Sequence, residues 1–194
     1  MDERRLRYYI AGGTPPGSNR TYPGCRDGSP PERSVAVELP GTLYFATRSP
    51  VWTGGRGFYD PDAGGQVLAR AHLITARQFS DIAAQEMYRT PGPDLDLGTV
   101  LDEGRDVLGP GRYETLVCPG FLDGLPVVTF TAPWRMTDVA WVKPSAVYLR
   151  HLASGLLSAG VWDAGDIARY LSGAPGAAGA WTPDETARLM ESGA

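Results

Sequence analysis

The chain has few of the side chains that build metal, redox or nucleic-acid sites. It contains only two cysteines and two histidines among 194 residues. Two cysteines are too few for a disulfide framework, so we expect two free thiols and a cytoplasmic protein. The 18 basic side chains are outnumbered by 22 acidic ones, and the net charge of −4 offers no basic surface to nucleic acid.

Long hydrophobic runs are also missing. No apolar stretch approaches the ~20 residues that a membrane-spanning helix needs. The charged residues 1–5 are not followed by the apolar core of a secretion signal. The two histidines stand alone, without the spacing of a zinc site. We therefore expect no membrane segment, no metal and no other cofactor.

What the sequence does contain fits a folded domain. Hydrophobic residues make up 42% of the chain, and its length favours one domain. The 25 glycines and 17 prolines predict long ordered loops, of which residues 14–33 form the clearest example.

Local patterns place strands mainly in the first two thirds and helices mainly at the end. Alternating or β-branched segments predict strands over 35–39, 42–46 and 67–74, and a hairpin of 113–118 with 126–131 around Asp123-Gly124. Helical spacing and capping residues predict helices over 1–10, 75–88, 145–159 and 163–171, and a terminal helix after Thr182. This order predicts an α+β fold, with a small mixed β-barrel flanked by helices.

Glu86 is the most informative single residue. On the helix opened by Thr75, the inward stripe of Phe79, Ile82 and Ala83 continues to Glu86. A carboxylate on an apolar stripe is desolvated, which raises its pKa and suits it to proton transfer near neutral pH. The alternative is that Glu86 lies in the last turn of the helix and reaches solvent.

Two weaker candidates remain. Cys25 or Cys118 could pair with His72 or His151 as a thiol nucleophile, although a cysteine in an apolar strand is usually an inert buried thiol. The acidic segment 94–106 could attract a hard cation, but it lacks the glycine-punctuated ladder of a calcium loop and is more typical of a solvated face.

Several segments together resemble the gamma-glutamylcyclotransferase-like family. Residues 65–75 (GQVLARAHLIT) and 78–86 (QFSDIAAQE) resemble the central strand and following helix of that family. Residues 39–45 (LPGTLYF) and 52–55 (WTGG) resemble the preceding strand and glycine turn. Residues 112–117 (RYETLV) resemble a strand that brings a tyrosine to the pocket, and 144–155 a late Pro-Ser helix. The resemblance covers about residues 1–172 and leaves 173–194 as an Ala/Gly/Pro linker and short C-terminal helix.

The resemblance implies an enzyme that cyclises a gamma-glutamyl amine or peptide to 5-oxoproline without a cofactor. Glu86 would be its catalytic acid and base, and Tyr113, Gly54 and Gly55 would bind the substrate. The implied partner is a small gamma-glutamyl molecule, with no nucleic acid and no membrane. Nothing in the sequence indicates the leaving amine or the oligomeric state.

The sequence departs from the family in three ways. The family begins with a strand carrying Tyr-Gly-Ser-Asn, whose backbone amides hold a substrate oxygen. We expect this first strand to be missing, because Met1 stands just after the position of that motif. The later Gly17-Ser18-Asn19 follows the first helix, and we do not expect it to substitute. Met87 stands where the family has glycine, and residues 90–111 are an insertion. With the loop 14–33, this insertion predicts an altered pocket and substrate.

These departures keep two alternatives open. The chain could be a degenerate, non-catalytic binding module of the same fold. It could also be an amide hydrolase or deacylase that uses Glu86 or a cysteine.

Overall fold

The computed structural model describes residues 3–15 and 20–191, so Gly17-Ser18-Asn19 lies outside the described residues. Within them it has six α-helices, seven β-strands and one 3-10 helix, and the prediction of an α+β fold is confirmed. The elements are α1 Glu3–Ala11, β1 Arg33–Pro40, β2 Thr42–Arg48, β3 Gly55–Asp60, β4 Gln66–Leu73, α2 Ala76–Glu86, α3 Gly98–Glu103, β5 Arg105–Val107, β6 Thr115–Leu122, β7 Leu125–Thr131, the 3-10 helix Met136–Asp138, α4 Ala146–Leu157, α5 Ala164–Gly173 and α6 Pro183–Glu191.

The strands form three small sheets. β1 pairs with β4, β2 pairs antiparallel with β3, and β5, β6 and β7 form an antiparallel sheet in that order. Among the described residues, no pairing closes these sheets into the expected barrel. None of the described helices combines the length and apolar character that crossing a bilayer requires.

The chain divides into two compact units. The first unit consists of Glu3–Val35 and Ala71–Pro133, without residues 16–19. The second unit consists of Ala36–Arg70 and, of the described residues, 134–191. The predicted boundaries of 1–172 and 173–194 stay a prediction.

The core of the first unit joins α1 to α2. On α1, Leu6, Tyr9 and Ile10 follow one another at helical spacing, so they share a face, and all three are buried. They cluster with Tyr22 and Ile82. The segment after α1 is therefore packed against the helix that ends at Glu86.

The core of the second unit is built by β2, α4 and α5. Phe45 packs with Leu149 and Ala153 of α4 and with Ile167 and Leu171 of α5. Residues 174 and 177, beyond α5, are buried in the same cluster.

The local signals for helix ends are confirmed. The N–H of Gln78 donates to Thr75 Oγ1 over 3.1 Å, and the N–H of Thr75 donates to Gln78 Oε1 over 3.0 Å, which is the predicted capping box of α2. The side chains of Ser145 and Asp163 each accept one backbone hydrogen bond and so cap the N-termini of α4 and α5.

The sequence did not predict the secondary structure inside the insertion 90–111. A six-residue helix, α3, runs directly into the three-residue strand β5. The turn between them depends on Gly104, whose φ of +78° is a left-handed conformation that favours glycine.

Candidate functional site

Glu86 is the last residue of α2 and lies in the first unit. Of the predicted inward stripe, Ile82 and Ala83 are buried, whereas Phe79 is only partly buried. The buried face of the helix also carries polar side chains, among them Gln78, Asp81 and Gln85. Glu86 itself is only partly buried. Two residues later, after the C-cap Met87, Tyr88 has a φ of +59° and turns the chain away from the helix axis. The carboxyl group thus lies at the end of a rigid helix, within protein but not sealed from solvent.

A directed series of hydrogen bonds ends on this carboxyl group. The guanidinium of Arg5 donates to the Tyr22 hydroxyl over 2.9 Å. The Tyr22 hydroxyl lies 3.3 Å from that of Tyr9 and donates to it, and Tyr9 donates to Oε1 of Glu86. Each donor in the series satisfies the next group, so the phenol of Tyr9 holds one carboxyl oxygen of Glu86 in a fixed position.

The surroundings of Glu86 shift its titration to neutral pH. Burial raises the pKa of Glu86 from its ordinary 4.5 to about 7, because the surrounding protein disfavours the charged form. The positive charges of Arg5 and Arg112 act in the opposite direction and lower this pKa. Burial is the larger effect. Near pH 7 both forms of Glu86 are therefore populated, as a group that accepts and returns a proton requires.

The loop before β1 is attached to α2 by an ion pair between the partly exposed Arg26 and the buried Asp81. Asp81 is fully buried and accepts hydrogen bonds from the backbone N–H of Arg26 at 2.8 Å and from its Nε at 3.0 Å. The side-chain amide of Gln78 donates to the carbonyl oxygens of Asp27 and Ser29. These bonds order residues 26–29 of the loop that the sequence predicts to be long and ordered, and they hold this part of the loop against α2.

An alternating series of arginines and tyrosines lies beside Glu86. The guanidinium carbon of Arg20 lies 4.5 Å from the ring centroid of Tyr22 and 4.5 Å from that of Tyr88. Arg112, which directly follows the insertion, lies 5.2 Å from the ring centroid of Tyr88. Such cation–π contacts hold guanidinium groups in place without neutralising their charge.

Gln85 forms hydrogen bonds that connect α1, α2 and the loop before β1. Its side chain is buried, and its Nε2 donates to the carbonyl oxygens of Tyr9 and Asp81 over 3.0 and 3.1 Å. Its backbone oxygen accepts a hydrogen bond from Arg20. The residue preceding Glu86 therefore links α1, α2 and the loop.

The other predicted site residues lie in different places. Tyr113 is in the first unit, half-buried, with its ring edge-on to Phe130 at 6.0 Å. Gly54 and Gly55 are in the second unit and are buried. A Cβ atom on Gly55 would lie 2.0 Å from the carbonyl oxygen of Val142, so close packing alone requires glycine there.

The cysteine alternative finds little support at Cys25. Its thiol donates to the carbonyl oxygen of Tyr9 over 3.3 Å. Burial, reinforced by the negative charge of Asp81, raises the pKa of Cys25 to about 12, which keeps the thiol protonated. His72 instead forms a hydrogen bond of 2.8 Å with Ser34.

Sequence reasoning missed five residues of this site, which are Arg5, Tyr9, Arg20, Tyr22 and Arg112. Only Tyr9 carries a local signal, since a phenol on the inward stripe of α1 needs a polar partner. Arg5 lies on the same helix as Tyr9. Arg20 and Tyr22 belong to the loop and Arg112 directly follows the insertion, and no periodicity there indicates a direction.

Among residues 3–15 and 20–191, no three His, Cys, Asp or Glu side chains converge in a way that could hold a metal ion. No family model, curated protein or solved structure matches the chain. The chemistry of the site is therefore inferred from the residues around Glu86 and from the motifs they belong to.

Proposed function

We propose that this protein is a gamma-glutamylcyclotransferase-like enzyme that cyclises a gamma-glutamyl amine or peptide to 5-oxoproline. One observation carries the proposal: Glu86, at the end of the helix that resembles the catalytic helix of the family, has a pKa of about 7 and a fixed orientation. The proposal includes the small barrel and the substrate-binding roles of Tyr113, Gly54 and Gly55 that the resemblance implies.

The reaction is an intramolecular acyl transfer. The α-amine of the gamma-glutamyl group attacks its own side-chain carbonyl carbon, which forms the ring C–N bond. The bond from that carbon to the leaving nitrogen then breaks. Glu86 accepts the proton lost by the attacking nitrogen and donates it to the leaving nitrogen, so the carboxyl group ends in the state in which it began.

Tyr9 and Arg5 have supporting roles in this scheme. Because Tyr9 donates to Oε1, the second oxygen of Glu86 is the one positioned to exchange the proton. The positive charge of Arg5 limits how far burial raises the pKa of Glu86. The carboxylate form is thus still present near neutral pH, where it must act as the base.

Stabilisation of the oxyanion is the remaining requirement. In the resembling family it comes from backbone amides of the Tyr-Gly-Ser-Asn strand, and one such donor typically contributes roughly 2.7–4 kcal/mol. A form extended at its N-terminus by the codons that precede Met1 in frame tests whether this motif completes the site.

The test is a product assay with a gamma-glutamyl dipeptide and a gamma-glutamylamine. We expect 5-oxoproline from the parent or from its extended form, and a loss of at least about 100-fold in kcat/KM for Glu86→Gln. Glu103→Gln is the matched control, since Glu103 is an exposed carboxylate at the end of α3.

Each other outcome counts against a defined part of the proposal. Cyclisation by Glu86→Gln at the parental rate would show that Glu86 is not the acid and base. Free glutamate as the product would identify an amide hydrolase instead. Substrate binding without turnover, in both the parent and the extended form, would identify a non-catalytic binding module.

A further inference from the structure

The hydrogen bonds that lead to Glu86 begin at a group that cannot accept one. A guanidinium carries N–H donors and no acceptor, whatever its other contacts. Arg5 donates to the hydroxyl of Tyr22 over 2.9 Å. The oxygen of Tyr22 is therefore the acceptor toward Arg5, and its single hydrogen is directed to another group. That group is the hydroxyl of Tyr9, which lies 3.3 Å away.

The ring of Tyr22 is packed so that its hydroxyl stays between these two groups. Its ring centroid lies 4.4 Å from that of Tyr9. The guanidinium carbons of Arg5 and Arg20 lie 5.9 and 4.5 Å from the same centroid. Tyr22 is 3% exposed and Tyr9 is fully buried. The two hydroxyls therefore depend on protein groups for their hydrogen bonds.

Reversing the direction of these hydrogen bonds is unfavourable. If Tyr9 donated to Tyr22, the oxygen of Tyr22 would accept from both Arg5 and Tyr9, and its own hydrogen would need an acceptor elsewhere. Buried polar hydrogens without an acceptor are rare in native proteins. Arg5 therefore sets the direction in which the hydrogens of all three groups point, which is toward Glu86.

This direction decides which oxygen of Glu86 carries the proton. Because the hydrogen of Tyr9 points to Oε1, that oxygen is an acceptor in both protonation states of the carboxyl group. The neutral carboxyl group then carries its hydrogen on Oε2, the oxygen that Tyr9 does not hold.

The other charged groups that the structure places beside Glu86 do not oppose this assignment. Arg112 acts on Glu86 through its positive charge. Arg20 lies over the rings of Tyr22 and Tyr88. Both guanidinium groups carry donors only, so neither can accept a hydrogen bond from a proton on Oε1.

We propose that Arg5 and Tyr22 are positioning residues that act through Tyr9 to keep the exchangeable proton of Glu86 on Oε2. The proposal rests on the proposed function only for what this proton does in turnover, because its place on the carboxyl group is a property of the free protein. In the cyclisation, a proton on Oε1 would lie against Tyr9. A proton on Oε2 is the one that passes from the attacking nitrogen to the leaving nitrogen.

Infrared spectroscopy of the free protein tests the place of the proton. The carbonyl stretch of neutral Glu86 is measured as the difference between spectra at about pH 5 and about pH 9, and it is assigned by its loss in Glu86→Gln. In the parent we expect Oε1 to be the carbonyl oxygen and to accept from Tyr9, which lowers the stretching frequency. A proton on Oε1 would make Oε2 the carbonyl oxygen, without that hydrogen bond, and would give a band at higher frequency.

Substitutions of Arg5 change the direction of the hydrogen bonds. Arg5→Lys keeps a positively charged donor without an acceptor, so we expect the parental band. Arg5→Glu supplies acceptors only, so Tyr22 must donate to it, and we expect the band at higher frequency. Arg5→Gln both donates and accepts, so it should show both bands, and it replaces Arg5→Glu if that variant does not fold. Arg7→Glu makes the same change of charge at an exposed position of α1 and should show the parental band.

Two results in these spectra would overturn the proposal. The first is the parental band alone in both Arg5→Glu and Arg5→Gln. The second is the same shift in Arg5→Lys or in Arg7→Glu as in Arg5→Glu, because the band would then follow packing or charge rather than the direction of the hydrogen bonds.

Tyr22→Phe tests the connection between Arg5 and Tyr9 in turnover, because it removes the hydroxyl and keeps the ring. With a gamma-glutamyl dipeptide we expect kcat to fall about tenfold at an unchanged KM. The pH profile of kcat/KM should show the pKa of Glu86 raised by about 0.3 units, since Tyr9 becomes a weaker donor. Tyr8→Phe, on the same helix, should match the parent in both. A loss of kcat that accompanies a lowered unfolding temperature and leaves the pH profile unchanged would indicate a structural role and would overturn the proposal.

This proposal and the proposed function fail separately. If neither the parent nor its extended form cyclises a gamma-glutamyl substrate, but the band moves in Arg5→Glu and stays in Arg5→Lys and Arg7→Glu, the proposed function is rejected and the positioning role is retained. If the parent cyclises its substrate and neither Arg5→Glu nor Tyr22→Phe changes the band or kcat, the positioning role is rejected and the proposed function is retained.

Discussion

The phenol of Tyr9 donates a hydrogen bond to Oε1 of Glu86, a residue 77 positions further along the chain. Tyr9 is fully buried on α1, and Glu86 is the last residue of α2. The bond therefore makes α1 part of the candidate site as well as part of the core. The protonation of Glu86 therefore depends on how these two helices pack against each other.

Tyr9→Phe should raise the pKa of Glu86 above its value of about 7. A hydrogen bond donated to a carboxylate favours the charged form, so its removal favours the protonated form. We expect an upward shift of about one pH unit, together with a loss of about 1 kcal/mol in the free energy of unfolding. NMR titration of the Glu86 side-chain carbon measures the shift directly and independently of activity.

Tyr8→Phe is the matched control, because Tyr8 is the neighbouring, partly buried tyrosine of α1. It should leave the titration of Glu86 within about 0.2 units of the parent. An unchanged or lowered pKa in Tyr9→Phe would contradict the role assigned to the hydrogen bond.

Glu86 should also make the protein less stable as the pH rises. Its pKa is about 7 in the folded state and ordinarily 4.5, so the folded state binds more protons than the unfolded state between these values. The free energy of unfolding then falls as the pH rises from about 4.5 to about 7. Since Glu86 is partly accessible, we expect a decrease of about 2 kcal/mol rather than the full value that the shift implies.

Glu86→Gln should remove this dependence. Glutamine resembles the protonated carboxyl, so the variant should match the parent near pH 4.5 and exceed its stability by about 2 kcal/mol at pH 8. Urea unfolding at the two pH values measures both differences. Glu103→Gln, an exposed carboxylate, should give the same pH dependence as the parent. A Glu86→Gln variant that is less stable than the parent at pH 8 would show that Glu86 is not desolvated.

Local patterns in the sequence predicted the parts of the fold that local interactions determine. The capping box of Thr75 begins α2 at the expected residue, and the inward stripe of that helix leads to Glu86, because both signals depend on residues within a few positions of one another. The Asp123-Gly124 turn is also determined by local residues, because both adopt the left-handed conformation that joins β6 to β7.

The environment of Glu86 depends on distant residues and was not predictable in this way. Tyr9 reaches it from an earlier helix, and Arg112 from the segment that follows the insertion, and no sequence period relates either residue to Glu86. The pairing of β1 with β4 is equally nonlocal. Gly104 ends a helix too short to show a hydrophobic period, so α3 and β5 left no recognisable pattern.

Asp81→Asn should release the loop that positions Arg20. Asp81 is fully buried and binds both the backbone and the guanidinium of Arg26, and asparagine removes the charge that the guanidinium requires. We expect the free energy of unfolding to fall by about 2–3 kcal/mol. This is less than for a fully buried pair, because Arg26 is partly exposed. Hydrogen exchange should also become faster at residues 20–32.

Asp94→Asn provides the comparison, because Asp94 contacts the same Arg26 from an exposed position. Exposed ion pairs contribute little, so the loss in the free energy of unfolding should be much smaller than that caused by Asp81→Asn. Equal effects of the two substitutions would mean that burial of Asp81 does not fasten the loop.

Gly55→Ala distinguishes a packing role from a substrate-binding role for the glycine turn. The new Cβ would meet the carbonyl oxygen of Val142, a backbone atom that cannot move aside easily, so we expect a loss of at least about 2 kcal/mol in the free energy of unfolding. Gly64→Ala, where a Cβ meets nothing within 4 Å, should be neutral or slightly stabilising. Denaturant unfolding measures both. If Gly55→Ala instead kept the parental stability and raised only KM, the glycine would act through the substrate rather than through packing.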